Sequence, residues 1–323
     1  MRVFVSRRPP GTALERLDAR HEVEVWPEPS QPSADELREH ARTAEGLLAM
    51  LTDRIDAELI AACPSLRAIS NYAVGVDNVD LDAASERAIP VGHTPGVLTD
   101  STADLALALM LAAARRIVEG HELVRRGEWL TWGPDFILGR DLHGATVGIV
   151  GYGRIGQAVG RRVEGFGCQV LYTSRSGGTT LEELLERSDF VTLHVPLSSA
   201  TRGLVGAEAL SRMKPTAYLV NTARGPLVDT DALGRALREG AIAGAALDVT
   251  DPEPLPGEHP LLDAPNLTVV PHVGSATHAT RAAMADIAVD NLLAALAGER
   301  MPYCANPQVY EGLPHQAGPR QSG

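Results

Sequence analysis

The chain has 323 residues, more than one hydrophobic core usually serves, so two domains are expected. A hydrophobic content of 44% supplies those cores, and a formal charge of −12 argues against nucleic acid and anionic membrane surfaces as partners. The three cysteines, Cys63, Cys168 and Cys304, are far apart with no C-x-x-C spacing, which fits a reducing compartment and offers no metal site.

The opening residues pass directly into a strand-like Val3-Phe4-Val5, with no charged leader, long apolar region or cleavage site before it. A cytoplasmic chain without a signal peptide is therefore expected. To about residue 97, short apolar runs alternate with helical patterns. Strands are expected at Val3–Ser6, Val23–Trp26, Leu47–Leu51 and Ala68–Ser70, and helices at Gly11–Arg20, Ala34–Arg42 and Ile55–Cys63. Ser33 with Glu36 three residues on has the pattern of a capping box. Such alternation implies a parallel sheet with helices on its faces. The loop Asn71-Tyr-Ala-Val-Gly-Val-Asp77 reads either as a cradle for a small carboxylate or as an ordinary glycine turn.

Turn chemistry at Thr94-Pro-Gly-Val-Leu-Thr-Asp-Ser-Thr102 marks a domain boundary before a long helix, Thr102–Val118. Its apolar run, Leu105 to Ala114, is half a membrane span and reads as a buried helix. A second helix is expected from Gly120 to Trp132. Trp129 and Trp132 suit a subunit interface, a pocket lid or packing within the chain. The arginine pairs at Arg7-Arg8, Arg115-Arg116, Arg125-Arg126 and Arg161-Arg162 are scattered and read as solvated surface.

From Thr146 a second α/β half begins, with strands expected at Val147–Val150, Gln169–Tyr172, Phe190–Leu193, Ala217–Asn221, Ala243–Leu247 and Leu267–Val270. Helices fill the intervals, including Leu181–Arg187 and Thr230–Glu239, and a last one spans Thr277–Ala297. The first strand runs into Gly151, Gly153 and Gly156 at G-x-G-x-x-G spacing, followed by helical apolar positions Ile155, Val159, Val163 and Phe166. Strand, glycine turn and helix together suit a dinucleotide. The backbone can approach a pyrophosphate closely, and the helix start attracts the anion.

Three strand ends carry chemistry. Arg224, in Asn221-Thr-Ala-Arg-Gly225, sits where open α/β sheets bind ligands, and its guanidinium suits either a carboxylate substrate or a local acid. Glu253 lies between two prolines in Asp248-Val-Thr-Asp-Pro-Glu-Pro254, and His272 follows a strand in Pro271-His-Val-Gly-Ser-Ala276. Singly each has a structural alternative. Jointly they form a coherent site: Arg224 orients a 2-keto acid, His272 protonates its carbonyl oxygen as hydride reaches carbon, and Glu253 holds the imidazole and keeps it charged near neutrality. The hydride comes from a nicotinamide.

These residues resemble the D-isomer-specific 2-hydroxyacid dehydrogenases. The resemblance rests on ordered blocks: Tyr72–Asp77, Thr102-Ala-Asp-Leu105, Gly151–Gly156, Asn221–Gly225, Leu247-Asp-Val249, Asp251–Pro254 and Pro271–Ser275. The chain is most similar to the glyoxylate/hydroxypyruvate reductase branch, through Leu261-Leu262 and His272–His278. The resemblance implies an α/β fold of two doubly wound parallel-sheet domains. Residues 1–98 with 284–314 would form a discontinuous, flavodoxin-like substrate domain, 99–283 a Rossmann NAD(P)-binding domain, and 315–323 a disordered tail. It implies Arg224, Glu253 and His272 as the catalytic set, with Val74 and Gly75 binding the substrate carboxylate through their backbone. Leu51 and Trp132 are expected in the pocket wall. Cofactor contacts are implied for Gly151, Gly153 and Gly156, for Arg154 and Ile155 at the pyrophosphate, and for Asp248 at the nicotinamide amide. Thr102, His194, Pro196, Thr201, Thr222, Ala223, Gly274 and Ser275 complete that set. A homodimer is implied, with the segment around Trp129 and Trp132 reaching into the partner.

NAD-preferring relatives carry an acid after the second strand of this domain. Here the stretch is Tyr172-Thr-Ser-Arg-Ser-Gly177, so Ser174, Arg175 and Ser176 face the position of a 2′-phosphate, and Arg175 attracts what a carboxylate would repel. NADP(H) is expected to be preferred, with NAD(H) also accepted. The expected reaction is reduction of glyoxylate, hydroxypyruvate or a similar small 2-keto acid to the D-2-hydroxy acid. The alternatives are another D-2-hydroxyacid or 3-phosphoglycerate dehydrogenase, and a corepressor-like cofactor sensor.

Overall fold

In the computed structural model residues 1–311 are described. Residues 312–314 and the expected tail at 315–323 lie outside them. The chain forms two compact units, one from Met1–Leu98 and the chain from Thr277 onward, the other from Thr99–Ala276. The return to the first unit comes at Thr277, ahead of the expected junction at 283–284. The last helix, His278–Leu296, is continuous, and Thr277 caps it by accepting from the Thr280 N–H at 3.1 Å.

The first unit holds a parallel sheet of β1 (Arg2–Val5), β2 (Glu22–Val25), β3 (Gly46–Met50), β4 (Ala68–Tyr72) and β5 (Val91–Gly92), in the order β2-β1-β3-β4-β5. This is the flavodoxin-like order. Helices α1 (Ala13–Asp18), α2 (Ala34–Ala41), α3 (Ala57–Ala62) and α4 (Leu81–Glu86) connect the strands. The Ser33–Glu36 capping box forms as expected. On one face Leu37, Leu59, Ile60 and Ile69 pack together. On the other, Val3, Val5 and Leu48 meet Met284, Ala288, Val289 and Leu292 of the last helix. Each large aliphatic side chain so buried contributes about 1.5–3 kcal/mol. The Tyr72 hydroxyl donates to the Arg281 carbonyl at 2.5 Å, which ties that helix to β4.

In the second unit α5 (Thr99–Ala114) is apolar from Leu105 on and buries Ala106, Leu109, Met110, Ala113 and Ala114 against the sheet, while Asp104 in its first half pairs with Arg162. It ends earlier than expected because Arg116 adopts a left-handed φ of 52°. Next, α6 spans Ile117–Arg125 and stops before Gly127, whose φ is 72°, so the helix expected to reach Trp132 ends short and 129–132 are irregular. A seven-stranded sheet follows from β6 (Thr146–Val150), β7 (Gln169–Ser174), β8 (Gly177–Gly178), β9 (Phe190–Leu193), β10 (Tyr218–Asn221), β11 (Gly244–Leu247) and β12 (Leu267–Val269). Its order is β12-β11-β10-β9-β6-β7-β8, parallel except for β8. This is the nucleotide-binding order, with its reversal between β6 and β9. The connecting helices are α7 (Arg154–Glu164), α8 (Leu181–Arg187), α9 (Ala207–Arg212) and α10 (Thr230–Arg238), and the last helix is α11. Helices cover both faces, with α5 and α7 on one and α8 to α10 on the other.

At the amino edge of this sheet, Asp189 accepts from the Thr146 N–H, from Arg140 at 2.8 Å and from Lys214 at 3.0 Å. Burial opposes its ionisation, but these donors hold the carboxyl below its usual range. Lys214 is the one lysine of the chain. Among the described residues no helix is long and apolar enough to cross a membrane.

Candidate active site

The parallel ladder sets the site. One row of paired residues runs Thr173–Val150–Leu193–Asn221–Leu247–Val269 across β7, β6, β9, β10, β11 and β12. The next residue of each strand therefore stands at a common carboxyl edge: Ser174, Gly151, His194, Thr222, Asp248 and Val270. All of these except Val270 were expected to bind cofactor. Open α/β sheets bind their ligands at this carboxyl edge, where the strand ends and the loops that follow them are free of the covering helices.

The glycine turn lies at the order reversal. Gly151 has a φ of 96°, and a Cβ on it would lie 2.6 Å from the His194 carbonyl oxygen. A Cβ on Gly156 would lie 2.1 Å from the Gly151 carbonyl oxygen, so glycine there lets α7 pack against the turn. Gly153 stands at the cap position just before α7, with open space at its Cβ position, and no side chain caps the helix. First-turn N–H groups without a side-chain cap, beside an opening where a Cβ would stand, fit a pyrophosphate. The buried Thr222 hydroxyl, which has no partner among the described residues, fits a further polar contact from a ligand.

His194 is held by its N–H to the Val150 carbonyl at 2.7 Å and by Nε2 against the Thr192 hydroxyl at 2.9 Å. Burial pushes its imidazole down to about 3, so it is neutral in the working range. Thr201 donates to the Pro196 carbonyl at 2.8 Å and accepts from the Ser198 N–H, which closes the loop after β9. On β7, Arg175 and Ser176 occupy a two-residue turn between the paired Ser174 and Gly177. Ser174 donates to the Gly177 carbonyl at 2.9 Å, and Arg175 is exposed. Tyr152 and Tyr172 stack beside this turn with centroids 4.1 Å apart, a pair the sequence reading missed because its two members belong to different elements.

Two of the three polar strand ends meet within the unit. Glu253 Oε1 lies 2.5 Å from His272 Nδ1. His272 has a φ of 52°, rare for a residue with a side chain. Its N–H donates to the Asp248 carbonyl at 2.9 Å. The Asp248 carboxylate accepts from the N–H groups of Val273 at 2.6 Å and Gly274 at 2.9 Å, so this acid also moulds the loop that follows the histidine. Burial pushes the Asp248 carboxyl up, while those two donors and the nearby His272 pull the other way. Thr102, on α5, donates to the Gly274 carbonyl at 3.4 Å, and Ser275 follows in the same loop. Arg224 is half-buried and donates to the Ala223 carbonyl at 2.8 Å. Its loop is braced by Asn221, which donates to the Arg224 carbonyl at 2.8 Å and accepts from the Ala223 N–H at 3.0 Å. An amide side chain ending a buried strand is the signal that could have pointed to this brace. A Cβ on Gly225 would meet the Thr250 carbonyl oxygen at 1.9 Å, so the loops of Arg224 and Glu253 touch through a glycine.

Leu51, Val74 and Gly75 belong to the first unit, after β3 and β4. The N–H groups of Val74 and Gly75 have no backbone acceptor among the described residues. Trp132 is 77% exposed in the irregular segment after α6, which suits a surface more than a wall of this unit.

Comparison with known proteins gives one family. The sequence profile of the D-isomer specific 2-hydroxyacid dehydrogenase NAD-binding domain matches residues 107–274. A glyoxylate reductase of Korarchaeum cryptofilum is 47% identical over 325 aligned residues, covering 97% of this chain and 98% of that protein. Among solved structures, a protein of Thermus thermophilus superposes with a TM-score of 0.90 at 52% identity, covering 94% of this chain and 100% of that one. An NADPH-dependent glyoxylate/hydroxypyruvate reductase of Sinorhizobium meliloti, solved with NADP and malonate, is 36% identical with a TM-score of 0.84, over 94% of this chain and 96% of that one.

Two outcomes follow from this geometry. Asp248→Asn replaces one of two acceptors by a donor facing a backbone N–H, and should lower unfolding stability by about 1–3 kcal/mol. An unchanged denaturant midpoint would remove the anchoring role. For His194, the unfolded chain takes up a proton near 6.5 and the folded chain only near 3, so the unfolded state binds more protons between these values. Stability should fall as pH drops through that window, by at most about 1.4 kcal/mol per pH unit from this group. His194→Asn should give a shallower fall in melting temperature than the parent; parallel curves would contradict the assignment.

Proposed function

The chain belongs to the D-isomer specific 2-hydroxyacid dehydrogenase family, and on that premise we propose that it reduces glyoxylate or hydroxypyruvate to the D-2-hydroxy acid with NADPH as preferred reductant. It is an NAD(P)-dependent oxidoreductase that reduces a keto acid to a hydroxy acid. The observation that carries the catalytic reading, with His272 as proton donor, is its 2.5 Å contact with Glu253 at the carboxyl edge of the second sheet.

Bound NADPH supplies the hydride. The chain's own residues supply orientation and the proton. Arg224 orients the keto acid and draws charge toward its carbonyl oxygen. Glu253 engages Nδ1 of His272, so the proton that moves to the carbonyl oxygen is the one on Nε2. The left-handed backbone of His272 and the Asp248 contacts fix where that ring points. The backbone N–H groups of Val74 and Gly75 take the substrate carboxylate, with Leu51 beside a small side chain. Gly151, Gly153, Arg154, Ile155 and Gly156 take the pyrophosphate, and Thr102, His194, Pro196, Thr201, Thr222, Ala223, Asp248, Gly274 and Ser275 take the remainder of the cofactor.

The preference for NADPH is supported by the turn at Ser174, Arg175 and Ser176, which offers hydroxyls and a cation and no carboxylate. The reductase of Sinorhizobium meliloti, solved with NADP and malonate, binds the same class of ligand. A homodimer is supported by the apolar surface at Ile117, Val124, Trp129, Leu130, Trp132 and Leu138, where Leu130 is 92% exposed. Three unpaired cysteines support a reducing, cytoplasmic setting.

The test is loss of reduced-nicotinamide absorbance with NADPH or NADH against a panel of 2-keto acids. Glyoxylate and hydroxypyruvate should be the best substrates; turnover of neither would end this proposal. His272→Ala should lower turnover by about a hundredfold to ten-thousandfold while NADPH binding, followed by its fluorescence, persists. Turnover retained in that variant would remove the proton-donor role. Arg175→Ala should cut the NADPH over NADH ratio in kcat/KM by about ten- to a hundredfold; an unchanged ratio would show that another residue selects the cofactor.

A further inference from the structure

In the first unit a paired row runs Val25–Val5–Leu48–Ser70–Gly92. The next residues of β4 and β5, Asn71 and His93, therefore stand side by side at the carboxyl edge, against the loop 73–76. Four successive carbonyls of that loop are engaged. The Thr94 N–H donates to Ala73 at 2.8 Å, His93 Nδ1 lies 3.0 Å from the Val74 oxygen, Asn71 Nδ2 donates to Gly75 at 2.9 Å, and the Val79 N–H donates to Val76 at 3.0 Å. A carbonyl only accepts, so Nδ1 of His93 carries the hydrogen.

In a trans peptide the C=O of one residue and the N–H of the next point in opposite directions. Holding the Val74 carbonyl inward thus turns the Gly75 N–H outward, and holding Ala73 does the same for Val74. His93 is itself fixed from behind. Its N–H donates to the Tyr303 carbonyl at 3.2 Å, and its carbonyl accepts from the buried Asn291 of α11 at 3.0 Å. Gly92 lets that contact form: a Cβ there would sit 2.7 Å from Asn291 Nδ2.

We propose that His93 is a positioning residue for substrate recognition, its Nδ1–H holding the Val74–Gly75 peptide so that the Gly75 N–H faces the substrate carboxylate. This rests on the reading above that the N–H groups of Val74 and Gly75 bind that carboxylate. The histidine acts through the backbone and touches no reacting atom. It sets affinity for acids and leaves the chemical step alone.

The test compares a 2-keto acid with its neutral carboxamide in the parent, His93→Leu, His93→Asn and His93→Gln enzymes. Asparagine places an amide N–H where Nδ1 stands; leucine has no donor, and glutamine carries its donor too far out. The leucine and glutamine variants should raise KM for the keto acid roughly tenfold, with kcat and the KM for NADPH little changed. The asparagine variant should restore the parent value, and the neutral substrate should be handled alike by all four. Glutamine serves if the leucine variant does not fold. An unchanged KM in the leucine and glutamine variants, a parallel loss for acid and amide, or an asparagine variant as poor as leucine would each overturn the positioning role. A parent enzyme that fails to distinguish acid from amide would instead overturn the carboxylate reading on which it rests.

Discussion

The in-register parallel ladder is the constraint on which the second unit depends. Its strands are short, and several are buried on both faces, as at Phe190–Leu193 and Tyr218–Asn221. A slip of one residue would send every side chain of a strand to the opposite face, so packing by α5, α7 and α10 fixes the register. The fixed register then brings residues from strands far apart in sequence to one edge. Gly151 and Asp248 share that edge although 97 positions separate them along the chain. No loop needs to find its place independently, since each leaves its strand at a predetermined height.

What the ladder cannot fix is the path of each loop beyond the edge, and there buried polar side chains take over. Asn221 clasps the loop of Arg224 through an N–H and a C=O. Asp248 accepts two N–H groups of the loop after His272. Asn71 bonds Gly75 and exchanges contacts with Asn78, which in turn holds the carbonyls of Met50 and Asp53. Burying such groups is favourable only when their hydrogen bonds are complete, so each clasp specifies one loop conformation. The left-handed His272 is tolerated because contacts on both sides hold it there.

Much of this was legible in the sequence. Apolar runs marked all the longer strands, because a doubly covered sheet demands them. The G-x-G-x-x-G turn announced itself because close approach leaves only glycine. Arg224, Glu253 and His272 stood out as polar residues at strand ends, and the last two meet in space. Other parts carried no local mark. Strands β5 and β8 have two residues each, too few for a pattern, and β8 consists of glycines that pair only because β7 turns back on itself. The helix expected to Trp132 stopped at a left-handed Gly127 that the apolar spacing did not reveal. The His93 contact depends on two strands being neighbours and on α11 returning to the first sheet, which no stretch of sequence states by itself.

The ion pair of Lys214 with Asp189 has a consequence for handling the protein. Lys214 is the one lysine among 323 residues, and arginine guanidinium groups do not react as amines do. Among side chains, acylating or reductive-amination reagents thus find one amine target, Lys214. Lys214 sits at the amino edge of its sheet, where its partner Asp189 also accepts from the Thr146 N–H. The second unit can therefore be tethered to a support by the edge opposite the one that carries Gly151 and Asp248. Acylation of Lys214 would cost Asp189 one of its two cations, so the milder tether is a reductive one, which keeps the nitrogen charged.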